Sequence, residues 1–252
     1  MTLFNELFCE KGRCAPRARL VCFPHAGGTS DAFQPFRARL DPDVELLVAR
    51  YPHEAGAGQA DAIPSLAASL ADALGALEPA PTAFFGHSLG ALLAFEVARR
   101  LGEAHTPARL FLSGCREPSL VPSPFVRRAV TLPDADFVEA VAELGGLPED
   151  ALADADVRAY LAAMLRADFA LVASYRLAPE PILDVPFTLL AGAEDMHVPI
   201  DSVRGWERVT RAPVRMQVFQ GGHFFPFLTE NCPTIVAEIE GCFADDALSL
   251  TI

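Results

Sequence analysis

A serine, an aspartate and a histidine, Ser88, Asp195 and His223, lie far apart in a chain of 252 residues and together suit one chemistry. A serine hydroxyl is a poor nucleophile at neutral pH. It needs a base within hydrogen-bond reach, and that base needs an orienting carboxylate. Histidine suits the base, since its unperturbed pKa is about 6.5. Ser88 stands in Gly86-His87-Ser88-Leu89-Gly90, after the apolar run Thr82–Phe85 and before Ala91–Arg100, a helical pattern without Gly or Pro. This reads as strand, sharp turn and helix with the serine at the apex. The glycines two before and two after Ser88 keep neighbouring side chains from colliding, and the turn holds Oγ out above the sheet edge. It also sets the Leu89 N–H and the positive end of the helix dipole where an oxyanion would form. With 17 glycines in the chain the bare G-x-S-x-G pattern is weak. The strand–turn–helix setting tips it toward function.

A second donor of the same kind is legible upstream. The apolar run Arg19–Phe23 reads as a buried strand and is followed at once by Pro24-His25-Ala26-Gly27-Gly28. Glycines straight after a strand let backbone amides approach a ligand closely, which makes the Ala26 amide the candidate second oxyanion donor. A plain strand-to-helix turn is the structural alternative.

The base and the acid each have rivals. His87 sits inside the elbow and His25 on the oxyanion loop, His53 and His197 are loop residues near the rim, and His105 follows the elbow helix toward the surface. Only His223 comes after the final strand, beside Gly221-Gly222. For the acid, Glu194, Asp184 and Asp201 lie near Asp195. A strand-end loop favours Asp195, since Asp184 precedes its strand and Asp201 is placed to cap the next helix.

The elements that must position these groups alternate between strand and helix. Residues 1–17 read as a polar, irregular arm. A helix is expected over 30–40 with Ser30 or Asp31 at its N-cap, and a strand over Glu45–Ala49. A rim loop over 52–58 and an Ala/Leu-rich helix from Ser65 to Leu77 follow. After the elbow come a strand at Ala108–Gly114 and then, over 116–186, a proline-rich linker and helical stretches around 134–144, 149–153 and 154–176 with no convincing strand. Strands resume at Phe187–Gly192 and Val214–Phe219, and a closing helix over 229–243 precedes a tail at 244–252. The alternation predicts an α/β fold: a mostly parallel central sheet with helices on both faces, one domain over 1–252. The insertion at 116–186 is expected to be a helical lid over Ser88, since an independent second domain would leave the flanking strands without sheet partners. Ser88, Asp195 and His223 each stand just past a strand, so all three fall on one rim of the sheet, where open α/β sheets carry their sites.

Composition excludes several other functions. A net charge of −13, from 20 Lys and Arg against 33 Asp and Glu, argues against general nucleic-acid or anionic-membrane binding. The pairs Arg37/Arg39, Arg99/Arg100 and Arg127/Arg128 read as solvated surface pairs or as local basic patches. Six cysteines without a C-x-x-C pair or a histidine at zinc spacing point away from a metal site and toward free thiols. Without a leader or an apolar run of about 18 residues, a cytoplasmic enzyme is expected.

FPHAGG, GHSLGALLAFEVARRL, SGCREP, LGGLPED, LRADF and QGGHFF, spread over about residues 18–243, together resemble the type II thioesterases that accompany polyketide and nonribosomal peptide synthases. The resemblance implies an α/β-hydrolase fold and an external, editing hydrolase. It implies no cofactor of the enzyme's own, because the substrate is an acyl group on the phosphopantetheine arm of an acyl or peptidyl carrier protein. Ser88, Asp195 and His223 fall on the family's catalytic positions, and the amides of Ala26 and Leu89 on its oxyanion positions. Leu89 stands where methionine is common, and AGAED replaces the more usual glycine-rich acid loop. A small-ester or lipase-like hydrolase, a chain-releasing thioesterase and a non-catalytic protein on a hydrolase scaffold are the rival readings. The start at Met1 without a linker favours a free-standing enzyme, with monomer the default.

Overall fold

The computed structural model describes residues 3–6, 16–51, 62–147 and 153–249. Seven strands form one sheet: β1 (Phe4–Glu6), β2 (Ala18–Phe23), β3 (Val44–Ala49), β4 (Thr82–His87), β5 (Arg109–Ser113), β6 (Phe187–Gly192) and β7 (Val214–Phe219), in the order β1-β3-β2-β4-β5-β6-β7. β1 pairs antiparallel with β3, and every other neighbour is parallel. The central strands β2, β4 and β6 are buried along their whole length, as strands covered on both faces must be. Edge strand β7 has only half-buried and exposed positions.

Successive side chains on a strand point to opposite faces, which divides the core in two. Val21, Phe23 and Phe84 face one layer, which holds α2 (Ala62–Gly75) and α3 (Leu89–Ala98). Leu20, Cys22, Ala83 and Phe85 face the other, against Phe33, Phe36 and Ile235. Phe33 closes a 3-10 turn (Ser30–Phe33), Phe36 belongs to the short α1 (Gln34–Arg37), and Ile235 to the closing helix α8 (Cys232–Ser249). Between β5 and β6 lie α4 (Pro124–Ala129), α5 (Asp134–Ala142) and α6 (Ala155–Ser174), which share a third cluster of Phe137, Val141, Leu165 and Phe169 packed against Ala26. Apart from an isolated bridge of Leu183 to Thr210, the described residues between β5 and β6 form no strand pairing.

Several expectations are corrected. The leading arm contains β1, whose pairing with Val48 and its neighbours is invisible in local sequence. Residues 30–37 make a 3-10 turn and then one short helix. Thr29, not Ser30 or Asp31, is the cap, its hydroxyl accepting from the Asp31 amide. Pro124 starts α4 rather than ending a linker, as suits a ring fixed at helical φ. Pro199 caps α7 (Ile200–Arg204), so Asp201 lies in its first turn. The closing helix continues to Ser249 through most of the expected tail. The loop at 52–58 with His53, and most of the stretch at 149–153, lie outside the described residues.

Candidate active site

β4 ends at His87, α3 begins at Leu89, and Ser88 between them has φ 56° and ψ −117°. It is the one described non-glycine residue with positive φ. Such a conformation costs about 1–3 kcal/mol and persists only where its surroundings enforce it. The flanking glycines allow it, though the obstacle is main chain rather than neighbouring side chains. A Cβ on Gly86 would lie 2.3 Å from the Gly90 carbonyl oxygen, and one on Gly90 1.9 Å from that of Phe23. The Ser88 amide donates to the Ser113 carbonyl at 2.8 Å, which ties the turn to β5.

His223 and Asp195 meet on the same rim from separate loops. His223 Nδ1 lies 2.7 Å from Asp195 Oδ2, both side chains buried. With the carboxylate taken as acceptor, Nδ1 carries the hydrogen and Nε2 remains to take a proton. Asp195 Oδ1 accepts from the amides of His197 at 2.9 Å and Val198 at 3.0 Å, so its loop turns around the carboxylate. Burial alone would raise this carboxyl. The hydrogen bond and charge of His223, with the two amides, outweigh it and hold Asp195 below its ordinary value. Asp184 and Glu194 are exposed, and Asp201 is an exposed partner of Arg204.

The remaining described histidines are otherwise engaged. Burial first, and then the charges of His223 and His25, hold His87 well below its usual value. Its Nδ1 lies 3.0 Å from Ser113 Oγ. His25 is lowered to about 4, by burial first and by His223 second. Burial is also the main cause lowering His197, whose ring packs against Phe125 at 4.7 Å. His105, near the surface, lies with Nε2 2.9 Å from the Leu77 carbonyl.

Ala26 and Leu89 flank Ser88 in a cavity that His223 also lines. Among the described residues neither backbone amide donates to a protein acceptor, so both remain for a ligand oxygen. The cavity wall is largely apolar, from Leu92 on α3 to Val121, Phe125, Val126, Phe169 and Val172 between β5 and β6, with Arg116, Ser123 and His197 also lining it. Cys115 also lines it, but burial pushes its thiol up to about 12, which makes it inert at neutral pH. A second cavity shares Ala26, Ser88, Phe169 and His223 and extends toward Gly146, Leu147 and Phe224. No group of three or more metal-ligating side chains occurs among the described residues.

Sequence reasoning missed the groups that hold these loops. Tyr51 Oη donates to the Pro24 carbonyl at 2.9 Å, and Asn231 Nδ2 donates to the carbonyls of Gln220 and Phe225 on either side of His223. The Arg116 guanidinium donates to the His197 carbonyl, and Asp168 accepts from the Gly27 amide. Only Asp168 left a sequence signal, as a lone acid amid the apolar positions of a long helix.

The family model described as "Thioesterase domain" matches residues 18–242. The chain belongs to the thioesterase domain family. This thioesterase is 36% identical over 229 residues to "Thioesterase PikA5" of Streptomyces venezuelae, an alignment covering 88% of this chain and 80% of that protein. It is 34% identical over 229 residues to "Probable cadicidin biosynthesis thioesterase" of Streptomyces griseus, covering 89% of this chain and 62% of that protein. Among solved structures, "RedJ-Thioesterase from the Prodiginine biosynthetic pathway in Streptomyces coelicolor" matches with a TM-score of 0.79 at 34% identity, over 90% of this chain and 91% of that one. The sheet order and these neighbours give the thioesterase an α/β-hydrolase fold. None of its described helices is long and apolar enough to cross a membrane.

Proposed function

We propose that this thioesterase is a cytoplasmic editing enzyme that hydrolyses acyl groups from the phosphopantetheine arm of acyl or peptidyl carrier proteins in polyketide or nonribosomal peptide biosynthesis. The observation that carries the reading is the buried Asp195–His223 pair, 2.7 Å apart, on the rim where the Ser88 turn lines one cavity with Ala26 and Leu89, whose amides have no protein acceptor among the described residues. Two cavities meeting at Ser88 suit a substrate with an arm on each side of its carbonyl, acyl chain one way and pantetheine the other. Helices α4–α6 act as the lid over both.

His223 Nε2 takes the Ser88 proton as Oγ attacks the thioester carbonyl, and Asp195 stabilises the imidazolium that forms. The amides of Ala26 and Leu89 donate to the oxyanion. As the carbon–sulfur bond breaks, the imidazolium returns its proton to the departing thiolate. Water then gives a proton to His223 while its oxygen attacks the acyl-serine, releasing the acid and restoring the Ser88 hydroxyl. Because a thiol is a good leaving group, less protonation is demanded of His223 than an amine would require.

The experiment is turnover of an acyl-carrier thioester and of the matching simple ester by the wild-type protein and by Ser88→Ala, with fluorophosphonate labelling. The carrier thioester should be preferred, Ser88 labelled, and turnover by Ser88→Ala abolished. Preference for the ester would favour a small-ester hydrolase, and appreciable turnover by Ser88→Ala would refute the serine assignment.

A further inference from the structure

The oxyanion loop is short, rich in glycine and without helix or strand of its own, yet an oxyanion donor works only if its N–H is aimed at the developing charge from hydrogen-bonding distance, within about 10–20° of the productive direction. Among the described residues three hydrogen bonds hold this loop. Tyr51 Oη donates to the Pro24 carbonyl, the Gly28 amide donates to the His25 carbonyl at 2.9 Å, and the Gly27 amide donates to Asp168 Oδ2 at 2.7 Å. The first two come from the scaffold and from the loop itself. The third comes from 141 residues away, on helix α6.

Asp168 is 1% exposed, in a helix whose buried positions are otherwise Ala162, Leu165, Phe169 and Leu171. A carboxylate is expensive to bury, so its place there needs a hydrogen bond that returns something. Leu165, one turn earlier, packs on the same spot: Gly27 has φ +74°, and a Cβ there would lie 2.7 Å from Leu165 Cδ2. The helix therefore seats on the loop twice, by an apolar contact and by a charge-assisted hydrogen bond, at the residue next to Ala26.

We propose that Asp168 is a positioning residue for thioester hydrolysis: by holding the peptide unit between Ala26 and Gly27, next to the unit whose His25 carbonyl the Gly28 amide holds, it helps to set the direction of the Ala26 N–H. The inference rests on the reading of Ala26 and Leu89 as oxyanion donors. Because Asp168 comes from α6, the oxyanion hole reaches its working geometry only with that helix seated. Asp168 touches no reacting atom, and its effect belongs to the transition state rather than to substrate binding.

The test compares wild type, Asp168→Ala and Asp168→Asn. It measures kcat and KM on a soluble acyl thioester, affinity for a trifluoromethyl ketone whose serine adduct places an oxyanion in the hole, and thermal unfolding. Truncation should lower kcat by about 10- to 100-fold, the scale of a misplaced catalytic group, with KM nearly unchanged. Affinity for the ketone should fall by a similar factor. Asparagine retains an oxygen that accepts from the Gly27 amide, so Asp168→Asn should recover most of the loss. Should the alanine variant not fold, Asp168→Ser is the truncation to use, since its hydroxyl is too short to reach. A loss confined to KM, ketone affinity that does not follow kcat, or an asparagine variant as poor as the truncation would overturn the proposal. If the ketone fails to inhibit wild type, the oxyanion reading itself fails, and if Ser88→Ala still turns over, the serine assignment on which it stands fails. If wild type is inhibited, Ser88→Ala is inactive and Asp168→Ala matches wild type, only the role of Asp168 is lost.

Discussion

Ser88, His223 and Asp195 act as a unit in the proposed mechanism, and their substitutions should not be equal. Ser88→Ala and His223→Ala each remove the attack itself and should lower kcat on the order of 10⁵-fold or more. Asp195→Asn leaves a ring that still packs, but the amide can present its NH2 to Nδ1 and favour the wrong tautomer, so its loss should be smaller, about 10⁴-fold. Steady-state kinetics on one thioester ranks all three, and an Asp195→Asn loss as large as that of Ser88→Ala would contradict the assigned weights. Gly90 is a structural requirement of the same turn. Its added Cβ would meet the Phe23 and Pro24 carbonyls at 1.9 and 2.7 Å, so Gly90→Ala must displace main chain on β2 or α3. Urea unfolding should show a loss of about 3 kcal/mol or more.

At the scale of elements, the elbow helix α3 and helix α6 are joined by a buried polar network that overturns a surface reading of Arg99. Glu96 Oε1 on α3 accepts from Arg99 Nη1 and from Tyr175 Oη, each at 2.9 Å, where Tyr175 closes the C-terminal end of α6. Arg99 also donates to the carbonyls of Pro181 and Ala178 on the segment leading back to β6. Burial first, and then the Glu96 charge, push the Tyr175 hydroxyl up, so it stays a donor at all working pH. Glu96→Ala would strand the Arg99 charge at 2% side-chain exposure. The expected cost is about 3 kcal/mol in urea unfolding, near the low end for a broken buried pair because two carbonyls still hold the guanidinium. Arg37 is likewise structural, donating to the carbonyls of Val44, Leu40 and Asp41. Arg127 and Arg128 remain exposed on α4, next to the Phe125 and Val126 that line the cavity.

For the molecule as a whole, half-buried His25 and buried His87 make stability depend on pH. His25 is lowered from 6.5 to about 4 and His87 well below 6.5. Above about pH 7.5, a unit past the unfolded value, both are neutral in folded and unfolded chains, and stability is at its full value. As pH falls through the range from 6.5 to about 4, the unfolded chain binds protons that the folded one does not. Stability should then fall by about 1.4 kcal/mol per pH unit for each such histidine. The lowered carboxyl of Asp195 acts with the same sign further down, its contribution present above pH 3.8 and lost as pH drops through its folded value. Urea midpoints at pH 7.5 and pH 5 test this, and a flat profile would contradict it. Net charge makes a separate prediction. At −13 the chain should repel an acidic carrier at long range, so moderate salt should leave the rate with carrier substrates unchanged or raise it. A steep fall in kcat/KM with salt would instead reveal a dominant basic face.

What the sequence by itself determined is whatever short-range physics sets. The turn at 86–90 follows from two glycines, an apolar run and a helical pattern within nineteen residues (82–100), and β6 and β7 match their expected spans because their runs are continuous and bounded. The alternation of elements likewise implied a parallel sheet with its functional loops on one rim. Position just past a strand already favoured Asp195 over Asp184, Glu194 and Asp201, and tertiary structure supplied the 2.7 Å contact that sets it beside His223. It also decided that Arg99 is buried, that Phe4–Glu6 pairs with β3 and that Asp168 reaches Gly27. Each of these contacts is made between segments that meet only after the sheet has formed, and hydrogen bonds and charge pairs act over a few ångströms of space, whatever the distance along the chain.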